Sequence, residues 1–152
     1  MKFALIAVLC LSVFLSGCME ETGSDITVPI ILFLTGPQAP IGEEVRNAFE
    51  LATQDFEAAH EGVNVELLIE DSADNPTQGL SAYRKFGAQP LYIVTGDAVA
   101  AALVPQAAAD GAVIIGTTVS APETAGENFY RGFFTSEQQG KEIGQHLAGK
   151  RI

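Results

Sequence analysis

Residues 28–34 form an almost unbroken apolar run that stops at Thr35-Gly36-Pro37, the pattern of a strand buried on both faces. The period then changes. Ile41, Val45, Ala48, Phe49, Ala52, Phe56 and Ala59 recur at helical spacing, with Glu43, Glu44, Arg46, Glu50 and Asp55 mostly opposite, so a helix is predicted over 41–60 before Gly62. Val63, Val65, Leu67 and Ile69 alternate with Asn64, Glu66, Leu68 and Glu70, which predicts a second strand. After a turn-rich stretch at 71–76, Pro76 suits the first turn of a helix reaching about residue 88 on Leu80, Tyr83 and Phe86. A short third strand at 91–95 leads to an alanine-rich helix at 98–110, in which Pro105 predicts a kink or a restart. A fourth strand is expected at 113–116 and a strand-like segment at 129–134. Ser136 and Gln139 then have capping-box spacing at the start of a last helix carried by Ile143 and Leu147.

Strands that alternate with helices of ten or more residues imply an α/β fold, with a parallel sheet and helices on both faces. No internal repeat interrupts the alternation.

The first residues follow another logic. Lys2 precedes an apolar stretch at 3–15 broken only by Ser12, and small residues follow, which is the layout of a secretory signal peptide. The stretch is shorter than the roughly 20 apolar residues a membrane-spanning helix needs. Leu15-Ser16-Gly17-Cys18 reads as a lipoprotein processing site, with residues 1–17 removed and Cys18 carrying lipid. Cys10 leaves with the signal, so Cys18 has no disulfide partner within the exported chain. An anchor of more than one acyl chain would hold the domain at a membrane surface. Residues 18–27 are polar and small, and they read as a flexible tether.

Composition narrows the partners. The 152-residue chain has a formal net charge of -11, which disfavours nucleic acid and anionic lipid surfaces. A hydrophobic fraction of 47% is too high for disorder.

In open α/β sheets ligands bind beyond the carboxyl ends of the strands. Here those ends are residues 35–37, 71–75, 96–98 and 117–122, and the hydroxyl cluster Thr117, Thr118 and Ser120 is the most promising. A plain polar loop has the same composition. No catalytic constellation assembles: His60 and His146 fall near helix ends on solvent faces, and neither a dinucleotide fingerprint nor a P-loop is present. No cofactor is expected. Glu70, Asp71 and Asp74 could hold a hard cation, although a solvated acidic loop explains them as well.

Several segments resemble one family. Leu34-Thr35-Gly36-Pro37 with Ala39, Gly42 and Leu51-Ala52 is similar to the opening of type 1 periplasmic binding proteins that serve branched-chain amino acid and related importers. Residues 70–76, Ser120-Ala121-Pro122-Glu123, and Phe129-Tyr130-Arg131 with residues 136–140 resemble that family's acidic loop, ligand loop and first crossover between lobes, in family order. The resemblance implies two α/β lobes closing on a solute that is delivered to the permease of an ABC importer. It assigns residues 28–135 to the N-terminal lobe and 136–152 to the first helix of a second lobe that is otherwise missing, so that the chain is a fragment.

By the same resemblance, ligand contacts fall on Asp97 and Ala98 at the start of the third helix and on Thr118 and Ser120 in the loop. The family's amino-acid binders have a serine at that helix start. Here Asp97 is expected to repel a ligand carboxylate, which makes the standard branched-chain amino acids doubtful and an amino acid or amide-like solute the expectation. A ligand-sensing receptor domain of the same fold is the alternative function, and an exported α/β enzyme a more remote one.

Overall fold

The computed structural model describes residues 24–148. The signal segment, Cys18 and the first part of the expected tether lie outside the described residues.

Five strands, β1 (Ser24–Leu32), β2 (Val63–Asp71), β3 (Leu91–Val94), β4 (Val113–Gly116) and β5 (Phe129–Arg131), form one sheet in the order β2-β1-β3-β4-β5. Every pairing is parallel. The four helices are α1 (Ala39–Ala59), α2 (Pro76–Lys85), α3 (Asp97–Asp110) and α4 (Ser136–Leu147). The alternation of periods along the chain therefore specifies the α/β architecture as expected.

Alternate residues of the sheet face two cores. Ile30, Leu32 and Ile93 pack with Val45 and Phe49 of α1 on one side. Ile31, Tyr92, Val94 and Ile114 pack against α2 and α3 on the other, where Val99, Leu103 and Ala107 are fully buried. Of the apolar positions predicted for α1, Val45 and Phe49 join the core, whereas Ile41 and Phe56 stay exposed.

Several details differ from the sequence reading, each for a physical reason. Residues 24–27 are strand rather than tether, paired with residues 63–66 of β2. At its other end β1 stops at Leu32, because the backbone N–H groups of Leu34 and Thr35 turn to the Asp71 carboxylate. Pro105 neither breaks nor restarts α3, which is continuous. A proline frees the carbonyl four residues earlier; Ala101 and Pro105 are both exposed, so water can satisfy it. The capping box sits one residue earlier than predicted. Thr135 Oγ1 accepts from Gln138 N (3.1 Å), and Thr135 N donates to Gln138 Oε1 (2.9 Å). Thr135 and Ser136 are each followed three residues later by glutamine, so spacing alone could not choose between them.

One glycine sets a helix against the sheet. A Cβ on Gly42 would lie 2.1 Å from the Phe33 carbonyl oxygen, so only glycine lets the first turn of α1 approach the end of β1 this closely.

Candidate functional site

The strand order reverses between β1 and β3: β2 lies on one side of β1, and β3, β4 and β5 follow on the other. At such a switch point the loops leaving neighbouring strands part and open a crevice. The loops after β1, β2, β3 and β4 lie on this side of the sheet.

Asp71, the last residue of β2, organises the first two of these loops. Its carboxylate accepts from Leu34 N (2.8 Å), Thr35 N (3.3 Å), Ala73 N (2.8 Å) and Thr35 Oγ1 (2.6 Å). Burial raises its pKa, but these four hydrogen bonds outweigh that, and the net shift is downward. Ala73 and Asp74 follow in the left-handed region, with φ of 48° and 53°. That turn brings Asp74 against the backbone of Gly96, where a Cβ would lie 2.5 Å from Asp74 Oδ1. With φ of 87°, Gly96 is a glycine for both reasons.

The acidic residues suspected of cation binding therefore diverge. Glu70 pairs with Lys85 (2.5 Å), Asp71 serves the backbone, and Asp74 leans on Gly96. Among the described residues no group of three metal-type ligands converges. His60 caps the end of α1, its Nδ1 2.8 Å from the Phe56 carbonyl and its ring stacked on Phe56.

The sequence-predicted ligand residues do come together, in an arrangement the sequence did not reveal. Gly96 N donates to Thr118 Oγ1 (3.2 Å), which joins the start of α3 to the loop after β4. Ala98 lies exposed in the first turn of α3. The first intrahelical bond there runs from Ala100 N to the Gly96 carbonyl, so the N–H groups of residues 97–99 have no acceptor within the helix. Val99 is fully buried, so the N–H groups of residues 97 and 98, with the positive end of the helix dipole, are the ones on the side of the strand ends where a negative group is favoured.

Asp97, expected to repel a ligand carboxylate, does not project freely. Its carboxylate turns onto the loop, accepting from Ser120 N (2.6 Å) and Ala121 N (2.8 Å) at Oδ1 and from Ser120 Oγ (3.1 Å) at Oδ2. Three donors thus compensate a charge that sequence reading had set against a ligand carboxylate. Ser120 is correspondingly tied into the protein, although its hydroxyl oxygen can still accept. In the same loop Thr117 Oγ1 is buried without a hydrogen-bond partner.

The other side of the loop belongs to Arg131, a residue that sequence reasoning did not place in the site. Its guanidinium donates to the carbonyls of Val119 (2.5 Å), Ala121 (2.8 Å) and Thr124 (2.7 Å) and lies 5.3 Å from the centre of the Phe129 ring. The available signal was a lone arginine in an edge strand directly after a long loop. Ser120 O accepts from Ser136 N (2.9 Å), so the first residue of α4 is fastened to the same loop.

A five-stranded parallel sheet flanked by helices, with its loops gathered at a switch point, defines the class of architecture as a parallel α/β lobe. The chain matches the family model of periplasmic binding proteins over residues 25–151 and belongs to that family. It is 30% identical over 105 residues to the Leu/Ile/Val-binding protein BraC3 of Rhizobium johnstonii, covering 66% of this chain and 29% of that protein. It is 27% identical over 131 residues to Leu/Ile/Val-binding protein homolog 3 of Brucella melitensis, covering 83% and 36%. Among solved structures, a putative branched-chain amino acid ABC transporter protein from Rhodospirillum rubrum superposes with a TM-score of 0.70 at 25% identity, covering 83% of this chain and 39% of that one. The chain thus spans about a third of the length of the relatives it matches.

Proposed function

We propose that this chain provides one wall of the solute site in an extracytoplasmic substrate-binding component of an ABC importer, held at the membrane by lipid on Cys18. The solute is a small amino acid or a close relative. Its carboxylate meets the free N–H groups of residues 97 and 98, and its ammonium group meets oxygens of the loop at Thr118 and Ser120. The other wall would come from a second lobe, for which α4 is the crossover; its Ile143 and Leu147 are 53% and 42% exposed and available to pack against one.

The observation that carries this reading is the convergence of the α3 N-terminus with the loop of Thr118 and Ser120 at the switch point, in a member of the periplasmic binding protein family. The inward turn of Asp97 also favours it. Once that carboxylate is hydrogen-bonded to Ser120 and Ala121, leucine, isoleucine and valine, the solutes named for two of the relatives, are compatible with the site.

Saturation-transfer difference NMR with a panel of amino acids and amides, which detects millimolar ligands, tests the proposal. Transfer to leucine, isoleucine, valine or another amino acid is expected, and a panel silent throughout would refute the solute class. The anchor is tested by fractionating cells that express the chain: Cys18→Ser should move it out of the membrane fraction, and an unchanged distribution would rule lipidation out.

A further inference from the structure

We infer that Arg131 is a positioning residue for the ligand loop, setting the peptide group between Val119 and Ser120 and, through Ser120, linking the loop to α4. This rests on the proposed solute site. The Val119 carbonyl and the Ser120 N–H belong to one peptide plane. The first accepts from Arg131 (2.5 Å), and the second donates to Asp97 (2.6 Å). One peptide dipole is thereby held between a guanidinium and a carboxylate, its oxygen toward the cation and its hydrogen toward the anion.

The next peptide group continues the pattern. Ala121 N donates to Asp97 Oδ1 (2.8 Å), while the Ser120 carbonyl accepts from Ser136 N (2.9 Å). Ser120 therefore uses its N–H, hydroxyl and carbonyl to join α3 to α4. Any shift of the loop on ligand binding must be felt at the first turn of α4.

Lysine cannot replace Arg131 in this role. Three carbonyls spread over residues 119–124 are reached by two guanidinium nitrogens in a planar fork, and an ammonium at the end of a flexible stem lacks that geometry. Arg131 makes no ion pair among the described residues, so its charge is spent on loop carbonyls and on the Phe129 ring.

The test compares amide hydrogen exchange in the full chain, wild type against Arg131→Gln and Arg131→Lys. The amides of Ser120, Ala121 and Ser136 should exchange about tenfold faster or more in both variants, while those of Ile31 and Val94 stay protected, as expected for a local opening. Leucine titrations read the coupling itself. In the wild type, shifts should extend from Thr118 to Ser136 and along α4, and in Arg131→Gln they should persist at Thr118 but vanish from α4. Unchanged exchange at the three amides would overturn the inference. So would equal acceleration throughout the sheet, or full recovery of slow exchange by lysine. If leucine moves no amide of the wild type, the solute reading fails, and the exchange comparison still decides the role of Arg131.

Discussion

The carboxylate of Asp97 and the guanidinium of Arg131 hold opposite ends of one peptide group, the Val119–Ser120 link, without forming an ion pair with each other. Both side chains thereby use their charge to fix the loop after β4. Removing Asp97 leaves the N–H groups of Ser120 and Ala121 without their acceptor, and hydrogen bonds to a charged group contribute about 1.5–3 kcal/mol. Asp97→Ala should therefore lower the unfolding free energy by about that amount in urea titrations. An unchanged midpoint would mean that the carboxylate does not hold the loop.

Asp71 ties stability to acid. Burial raises its pKa, the bonds from Thr35, Ala73 and Leu34 together lower it by more, and the net position lies below the ordinary 3.8. A carboxylate whose folded pKa is depressed stabilises the fold at pH above its unfolded value and loses that contribution as pH falls through the folded value. The stability difference between wild type and Asp71→Asn should be constant near neutral pH and shrink below about pH 4. Urea midpoints across that range give the answer, and a difference independent of pH would contradict the assignment.

Gly42 should be intolerant of the smallest side chain. Its Cβ would meet the Phe33 carbonyl oxygen at 2.1 Å, and this neighbour is backbone that cannot swing away. Gly42→Ala should cost about 1–3 kcal/mol, the usual penalty for overpacking, even though alanine is the better helix former. A stabilised variant would show that α1 does not sit this close.

The capping box gives a paired control. Thr135→Ala should lower α4 stability by about 1 kcal/mol, whereas Ser136→Ala should have little effect. Because α4 has no buried residue, the loss should show as faster exchange within that helix and not as a global change. The reverse order of effects would restore the register that spacing alone suggests.

Most of the architecture was legible because burial imposes periods. The switch from the run at 28–34 to the helical spacing after Ile41 and back to alternation at Val63 needs no tertiary information. Element ends were less legible, because they depend on partners distant in sequence. Asp71 stops β1 from 37 residues away, and residues 63–66 recruit residues 24–27 into the sheet. The same limit applies to the site. Thr118, Ser120, Asp97 and Ala98 could be gathered by their place after strands and by family resemblance. The inward turn of Asp97 and the grip of Arg131 are relations across 23 and 12 residues that no local pattern encodes.

The most direct test of the solute site is a map of where a solute lands. Leucine, isoleucine and valine, each added at millimolar concentration to the isotopically labelled chain, should shift the amides of residues 96–99 and 117–121, spread to Ser136, and leave α2 and the far end of the sheet unmoved. Ser120→Ala should weaken those shifts. A site elsewhere on the lobe, or no shift with any of the three, would contradict it.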